Sequence, residues 1–401
     1  MSWEKVRLGD VTDSCLGKML DKAKNKGEYQ PYLANVDVRW GSFNLDNLSE
    51  MRFEDNEQER YGLKYGDLVI CEGGEPGRCA IWKDQIPNMK IQKALHRVRV
   101  HDCLDYRFLY YWFLLAGKTG ALEQYFTGAT IKHMPGEKLR SVLIDMPPIE
   151  VQRHIANILW VYDDLIENNQ KQIKLLEEAA QRLYKEWFVD LRFPGHETTS
   201  VVDGVPKGWR VDRADSFFDM SIGKTPPRAE KQWFTDGATG TPWVSISDMG
   251  SSGVYVFHTS EGLTEDAISK HNIKVVSADT VLLSFKLTVG RVSITTGNSC
   301  TNEAIAHFII KDSALREYVY LYLKCFEYDS LGNTSSISKA VNSKIVKGMP
   351  FIMPDTTVLS QFHQVSRPIF DEIKNRQKVN IYLVEARDRL LPKLMSGEIE
   401  V

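Results

Sequence analysis

Ile155, Leu159, Tyr162, Ile166, Asn169, Ile173, Leu176, Ala180, Leu183 and Trp187 follow one another in alternating steps of four and three residues. That 3.5-residue period predicts one long helix with a coiled-coil seam. Pro147-Pro148 stands before it and Phe193-Pro194-Gly195 after it, where helix boundaries belong. A second stretch, roughly Leu359 to Met395, carries Phe362, Ile369, Ile373, Leu383, Leu390 and Leu394, with polar Arg376 and Asn380 near the seam and Pro392 in its last turn. Each helix would span roughly 60 Å at about 1.5 Å per residue, and two of them in one chain can pair. The competing reading is an ordinary helix facing the core of its own domain. Elsewhere the pattern is shorter. Apolar, β-branched strands at 67–71, 142–146 and 280–284 alternate with brief helices near 105–116 and 314–326, punctuated by Gly and Pro turns.

The chain says nearly the same thing twice. Trp3-Glu-Lys-Val-Arg-Leu-Gly-Asp10 is answered by Gly208-Trp-Arg-Val-Asp-Arg-Ala-Asp215, and Gly17-Lys18 by Gly223-Lys224. Each half then reads as an Asp, an apolar strand, a loop, a Gly-Arg pair (Gly77-Arg78, Gly290-Arg291) and another strand. An aromatic stretch follows (from Tyr106, from Glu317), then a polar loop with a lysine (Lys132, Lys339). Each half closes on a strand ending in Met-Pro, Met146-Pro147 and Met353-Pro354, 207 positions apart. Trp40 and Trp243 fall in apolar stretches that look equivalent, and core packing is expected of both. A repeat of this length predicts a duplicated unit. The expected fold class is α/β (mixed α+β): two similar domains, joined and spaced by two long antiparallel coiled-coil helices, with an internal pseudo-two-fold repeat. The expected division is 1–148, first domain; 149–192, first helix; 193–356, second domain; 357–401, second helix.

Composition narrows the function classes. The longest apolar run, Phe108 to Ala116, is about half of what a membrane helix needs, and the first residues, MSWEKVRLGD, have no apolar signal region. Cys15, Cys71, Cys79, Cys103, Cys300 and Cys325 are scattered without a Cys-x-x-Cys pair, which argues against a disulfide framework or zinc site and for a reducing cytoplasm. The net charge of -3 does not advertise nucleic-acid binding. The excess acid lies in residues 150–191, so a DNA-facing surface would be a local patch. Two basic clusters are candidates, Lys18 to Lys26 and Lys90 to Arg99, each also readable as a solvated face. Glu72-Gly-Gly-Glu-Pro-Gly-Arg78 lacks the Gly-Lys-Ser/Thr ending of a phosphate loop and reads as a turn between strands. Gly-x-Ser-x-Gly and His-Glu-x-x-His are both missing. No histidine has metal-ligand spacing to Cys or carboxylate neighbours; of His96 and His101, one is expected packed and one solvated. The Asn-Pro-Pro-aromatic motif of an amino-methyltransferase is absent as well. These readings favour a binding or scaffold role.

Several stretches, in order and within the duplicated frame, resemble type I restriction-modification specificity subunits: KVRLGDV near the start, PYLANVDVRWG at 31–41, PPIEVQRHIANIL at 147–159, KLLEEAAQRLYKEWFVDLRFPG at 174–195, VPKGW at 205–209, PWVSISDM at 242–249 and RLLPKLMSGEIEV at 389–401. One departure is that Glu150 and Gln152 are split by Val151, where the family usually has Glu-Gln; another is that Leu359-Ser-Gln361 keeps only the glutamine. Both are expected to change local capping. The resemblance implies two target-recognition domains, each followed by a conserved helix, and the helices pairing as a coiled coil. It implies a bipartite DNA target read by a non-catalytic, cytoplasmic subunit. It further implies two methyltransferase subunits as partners, two motor-nuclease subunits in the full complex, and no cofactor bound by this chain, S-adenosylmethionine, ATP and Mg being used by the partners. The rival readings are a coiled-coil scaffold, a DNA-recognition subunit of another, methylation-only defence complex, and an enzyme with an unrecognised site.

Loop position, repeat equivalence and donor chemistry then select DNA-binding candidates. In the first half they are Lys18, Lys22, Lys24, Lys26, Asn35, Arg39, Arg78, Lys93, Lys132 and His133. In the second they are Lys224, Arg228, Ser245, Ser247, Lys286, Arg291, Asn302, Lys339 and Lys344. Lysine and arginine in loops suit phosphates; Arg, Asn, Gln or Ser at a base edge carries specificity. Each also has a plainer possible role as exposed charge, turn cap or core hydrogen bond.

Overall fold

A computed structural model describes residues 3–21, 25–331 and 341–401. They form two compact units: Met1–Ile166 with Tyr382–Val401, and Glu167–Ile381. Each long helix is therefore shared, its two ends belonging to different units.

In the first unit the central antiparallel sheet runs Thr12–Leu16, Leu95–Val100, Leu68–Cys71, Cys79–Ile81. The strand Leu68–Cys71 is buried throughout, as its unbroken apolar run requires. A smaller sheet orders Ser49–Phe53, Glu28–Leu33 and Lys90–Ile91, the last pair parallel. The chain ends of the unit meet where Glu4–Arg7 pairs with Leu143–Met146. Helix Tyr106–Thr119 covers the core; Asp105 caps its N-terminus by accepting from the Arg107 and Phe108 N–H groups, and Gly120 ends it in a left-handed conformation (φ 73°). Phe108, Leu109, Tyr111 and Phe113 from that helix are buried with Leu68, Ile70 and Val98 of the sheet.

The second unit repeats this plan. Its central sheet orders Asp219–Ile222, Ile305–Ile309, Val281–Ser284, Val292–Thr295 and Tyr255–Val256. The smaller sheet again holds a parallel pair, Thr241–Val244 with Cys300–Thr301. Arg210–Arg213 pairs with Pro350–Met353, and Arg316–Cys325 is the covering helix. The register corrects one equivalence. Tyr32 lies opposite Lys90 and Trp243 opposite Cys300, so Trp243 matches Tyr32 and not Trp40. Trp243 is buried, whereas Trp40 is half-buried with its indole N–H donating to Glu75.

The long helices are Ile149–Tyr184, prolonged by a π turn at Lys185–Val189, and Thr356–Met395. On the first, Ile155, Leu159 and Ala180 are buried, and Tyr162, Ile166, Asn169, Ile173, Leu176, Leu183 and Trp187 are half-buried. On the second, Ile373 is buried and Ile369, Leu383 and Leu390 are half-buried. Within the first unit Ile155 and Leu159 pack in one cluster with Leu391 and Leu394, and Arg387 pairs with Asp163 at 2.5 Å. Within the second, Asn169 donates to Asn380 at 2.8 Å while the Trp187 and Phe362 rings meet at 5.6 Å. In both units one helix ascends as its partner descends, so the pairing is antiparallel. Gln152 is fully buried and locks the first helix entry: its side chain accepts from the Asp105 N–H and donates to the carbonyls of Cys103 and Pro147. Gln361 is exposed; Leu359 holds the buried place in the second helix entry.

Candidate nucleic-acid interface

The same loop frame is built twice in its backbone, with different side-chain bonds. After the strand Glu28–Leu33, the Ala34 N–H donates to the Asp37 carboxylate at 2.7 Å; after Thr241–Val244, the Ser245 N–H donates to Asp248 at 2.8 Å. Ser245 returns the bond, its hydroxyl accepting from the Asp248 N–H, and so caps the helix Ile246–Ser252. Ala34 has no acceptor, so only half of that box forms around residues 35–37.

A turn bridging two central strands leans on this helix start. In the first unit the Cys71 N–H bonds the Arg78 carbonyl and Gly77 N–H bonds Cys71. In the second, Ser284 bonds Arg291 and Gly290 bonds Ser284 in the same way. Arg78 reaches back to the Asn35 carbonyl at 3.1 Å and its side-chain oxygen at 3.0 Å, with Glu75 beside it at 3.0 Å. Arg291 reaches the carbonyl of Ile246, which is equivalent to Asn35, at 2.6 Å. The two Gly-Arg arginines are thus clamps that hold a loop against a helix start.

Around the first turn the fold collects Asn35, Arg78, Lys93, Lys132 and His133. Asn35 donates to the Gly73 carbonyl at 2.8 Å, and His133 packs so closely on Gly73 that a Cβ there would meet its ring at 2.8 Å. Lys93 and His133 are exposed; Lys132 is exposed beside Glu123, over the Phe126 ring. Arg39 is exposed but turned onto its own loop, donating to the carbonyls of Val36 and Val38. Lys26 is exposed, ahead of Glu28–Leu33.

Lys18 needs correcting as a DNA contact. It is 3% exposed, its ammonium donates to Glu57 and to the Arg52 carbonyl, and it sits over the Phe53 ring. A buried, paired ammonium has no reach to a phosphate. The cluster Lys90 to Arg99 dissolves likewise: Lys90 and Arg97 are buried, and Arg99 makes a two-pronged bond to Asp67. His96 is the packed histidine, its pKa lowered by burial, and His101 the exposed one. Lys22, Lys24 and Lys339 lie outside the described residues.

Around the second turn stand Lys224, Ser245, Ser247, Lys286, Arg291 and Asn302. Lys224 is exposed and donates to the His271 carbonyl; its equivalence to Lys18 holds in the backbone, each N–H bonding the matching strand (Ile91, Thr301). Ser247 is exposed. Lys286 is half-buried beside Phe285. Asn302 is half-buried, its side chain capping Ala304. Arg228 is stacked over Trp243 and Phe234 and bonded to Glu261, so its guanidinium is largely spoken for. Lys344 is exposed on the short helix Ser343–Lys347, whose entry is tied to the turn by the Val341 N–H donating to the Phe285 carbonyl at 3.0 Å; the glycine after that helix, Gly348, lies against Arg213.

Sequence reasoning missed Asp37 and Asp248, which organise both loops, and Glu75, which bonds both Arg78 and Trp40. The signal was present: Asp at the third place after a strand end, as in Ser245-Ile-Ser-Asp248, is a capping pattern. Among the described residues, no three histidine, cysteine, aspartate or glutamate side chains gather as a metal-holding group, and no helix is long and apolar enough to cross a membrane.

One backbone frame thus occurs twice in the chain with different residues at its loop tips. The type I restriction modification DNA specificity domain matches residues 1–178 and 206–376, and the chain belongs to that family. It is 29% identical to the type I restriction enzyme MjaIX specificity subunit of Methanocaldococcus jannaschii over 84% of this chain and 78% of the relative. It is 26% identical to the HindI specificity subunit of Haemophilus influenzae over 99% of both chains. The fold is shared with a type I restriction-modification S subunit from M. genitalium: TM-score 0.56, 16% identity, 98% of this chain and 96% of that one.

Proposed function

We propose that this chain is the non-catalytic DNA reader of a type I restriction-modification complex, each unit recognising one block of a split target. The observation that carries the reading is the duplicated frame: identical backbone braces present chemically different tips, Gly73-Gly74-Glu75 in one unit and Lys286-Leu287-Thr288 in the other. Two readers built alike but tipped differently suit two different short base blocks.

Phosphate contacts come from the exposed cations Lys26, Lys93, Lys132, Lys224 and Lys344, with Lys22, Lys24 and Lys339 retained on sequence grounds. Base edges are read from Asn35, Arg39, His133, Ser245, Ser247 and Asn302, while Lys286 takes a phosphate. Arg78 and Arg291 act by positioning. The long helices set the distance between blocks, since equivalent major-groove positions on one face of B-DNA recur about every 34 Å. The reading includes two methyltransferase subunits as partners, with two motor-nuclease subunits in the full complex, acting in the cytoplasm. S-adenosylmethionine, ATP and Mg serve those partners. An exposed apolar row on the first helix, Ile158, Val161 and Leu165, supports a partner helix there.

The test is the methylome of the host with and without this gene. A methylated motif of two short blocks and a fixed spacer, lost on deletion, is the expected result. An unchanged methylome in cells that express the chain would sink the reading.

A further inference from the structure

The exposed tip of the second turn is held in a conformation that its residue disfavours. Both turns close with a bond two residues long. Glu75 N–H donates to the Gly73 carbonyl at 2.9 Å, and Thr288 N–H to the Lys286 carbonyl at 2.7 Å. The residues at their centres have φ of +73° at Gly74 and +62° at Leu287. A γ-turn with positive φ at its centre is rare and strained, and for a residue with a Cβ the left-handed region costs roughly 1–2 kcal/mol. Glycine relieves that at Gly74, where a Cβ would meet only the Asn35 side chain, at an ordinary contact distance of 3.4 Å. In the second unit Ile246 takes the place of Asn35, and a leucine occupies the tip.

That leucine contributes nothing visible to the fold. Leu287 is 75% exposed, the most exposed large apolar side chain among the described residues. The surroundings force the conformation upon it. Buried Ser284 donates to the Thr288 carbonyl at 2.5 Å and accepts from the Arg291 N–H at 3.0 Å, and Arg291 is itself clamped to Ile246. A scattered exposed leucine needs no explanation. One held at positive φ, on a doubly braced tip, flanked by Lys286 and projecting from the recognition surface, is a strain that the fold maintains, and such strain clusters at functional sites.

We propose that Leu287 is a base-reading residue of the second unit, making apolar contact with the C5-methyl group of a thymine in the major groove, while Lys286 beside it takes the adjoining phosphate. The thymine methyl is the one apolar feature that distinguishes bases in that groove. The inference rests on the DNA-reader function proposed above.

The experiment is a chemical cycle on the full chain assembled with its methyltransferase subunits. Synthetic duplexes carry the methylated motif, with deoxyuridine replacing one thymine at a time, and are bound by wild-type and Leu287→Gly complexes. Glycine suits the backbone, so the variant should melt at or above the wild-type temperature. The expected result is one thymine, in one block only, whose demethylation weakens wild-type binding about fivefold, the order expected for removing one buried methyl group. The Leu287→Gly complex should bind about fivefold more weakly to the natural duplex and be indifferent to deoxyuridine at that position. Equal affinity of the variant and wild type, unchanged deoxyuridine sensitivity in the variant, or a motif with no thymine in either block would each overturn the assignment. A wild-type complex that prefers no motif would instead sink the DNA-reader function itself.

Discussion

Arg78 and Arg291 show how a residue chosen for its charge can matter through position. Each guanidinium is spent on carbonyls at a helix start, 3.1 Å and 2.6 Å away. Substituting Arg291→Ala leaves the Ile246 carbonyl and the turn unbraced. The expected cost is about 1–3 kcal/mol of unfolding free energy, the range for a lost charge-assisted bond, measured by denaturant titration. Binding should weaken at one block of the target and not the other. His307 gives a second prediction at this scale. It is fully buried between the Ser221 and Thr301 hydroxyls, at 2.8 Å and 2.7 Å, and burial pushes its pKa from 6.5 down to about 4. Thr301 donates onward to the Asn302 carbonyl, so Nε2 bears the proton and Nδ1 accepts from Ser221. The folded state therefore prefers the neutral ring. Stability from this group is intact above pH 6.5 and is lost as pH falls from 6.5 to about 4, by about 3 kcal/mol in all. His96, with its pKa lowered by the same cause, adds loss of the same sign. Melting curves of wild type and His307→Gln between pH 7 and pH 4 check this; the variant should show the shallower pH dependence.

At the scale of elements, the paired helices carry polar groups in their seam. Asn169 donates to Asn380 at 2.8 Å and accepts from Arg376 at 3.0 Å, all three half-buried. A polar pair at such a place holds register at a cost in stability. Asn169→Leu strands both partners and should destabilise by about 1–3 kcal/mol, whereas the double change with Asn380→Leu should recover part of that loss. If the two single losses simply add in denaturant unfolding, the pair is not coupled. The second helix also buries Ser366 and Phe370, which the heptad reading passed over because a serine there interrupts the apolar row.

For the whole molecule, the consequence of two long helices is metric. Each contributes one end to either unit, and under the function proposed above its length would enter the distance between the two DNA blocks. Inserting four residues in each helix, at facing places near Ile166 and Tyr382, lengthens the pair by about 6 Å at 1.5 Å per residue. The methylated motif should keep both blocks and gain about two base pairs of spacer. An unchanged spacer in a complex that still methylates would show that the helices are not the ruler.

The duplication, the first long helix and the mixed α/β character were all legible in the sequence, because each is written as a period: 207 positions between the Met-Pro pairs, 3.5 residues along the seam, brief apolar strands between turns. The family was legible for the same reason, several stretches standing in order. The site was only partly so. Lys18 and Lys224 occupy one backbone position, yet the first is buried against Glu57 and the second exposed. Trp40 and Trp243 look alike in sequence, yet strand register makes Trp243 the counterpart of Tyr32 in the repeat. Leu287 is an unremarked leucine until the turn gives it a positive φ and open solvent. Pattern along a chain reports local periodicity and which residues prefer burial. Whether a cation is free or paired, and whether a loop tip is strained, depends on neighbours brought together from distant parts of the sequence, and only the tertiary structure decides those.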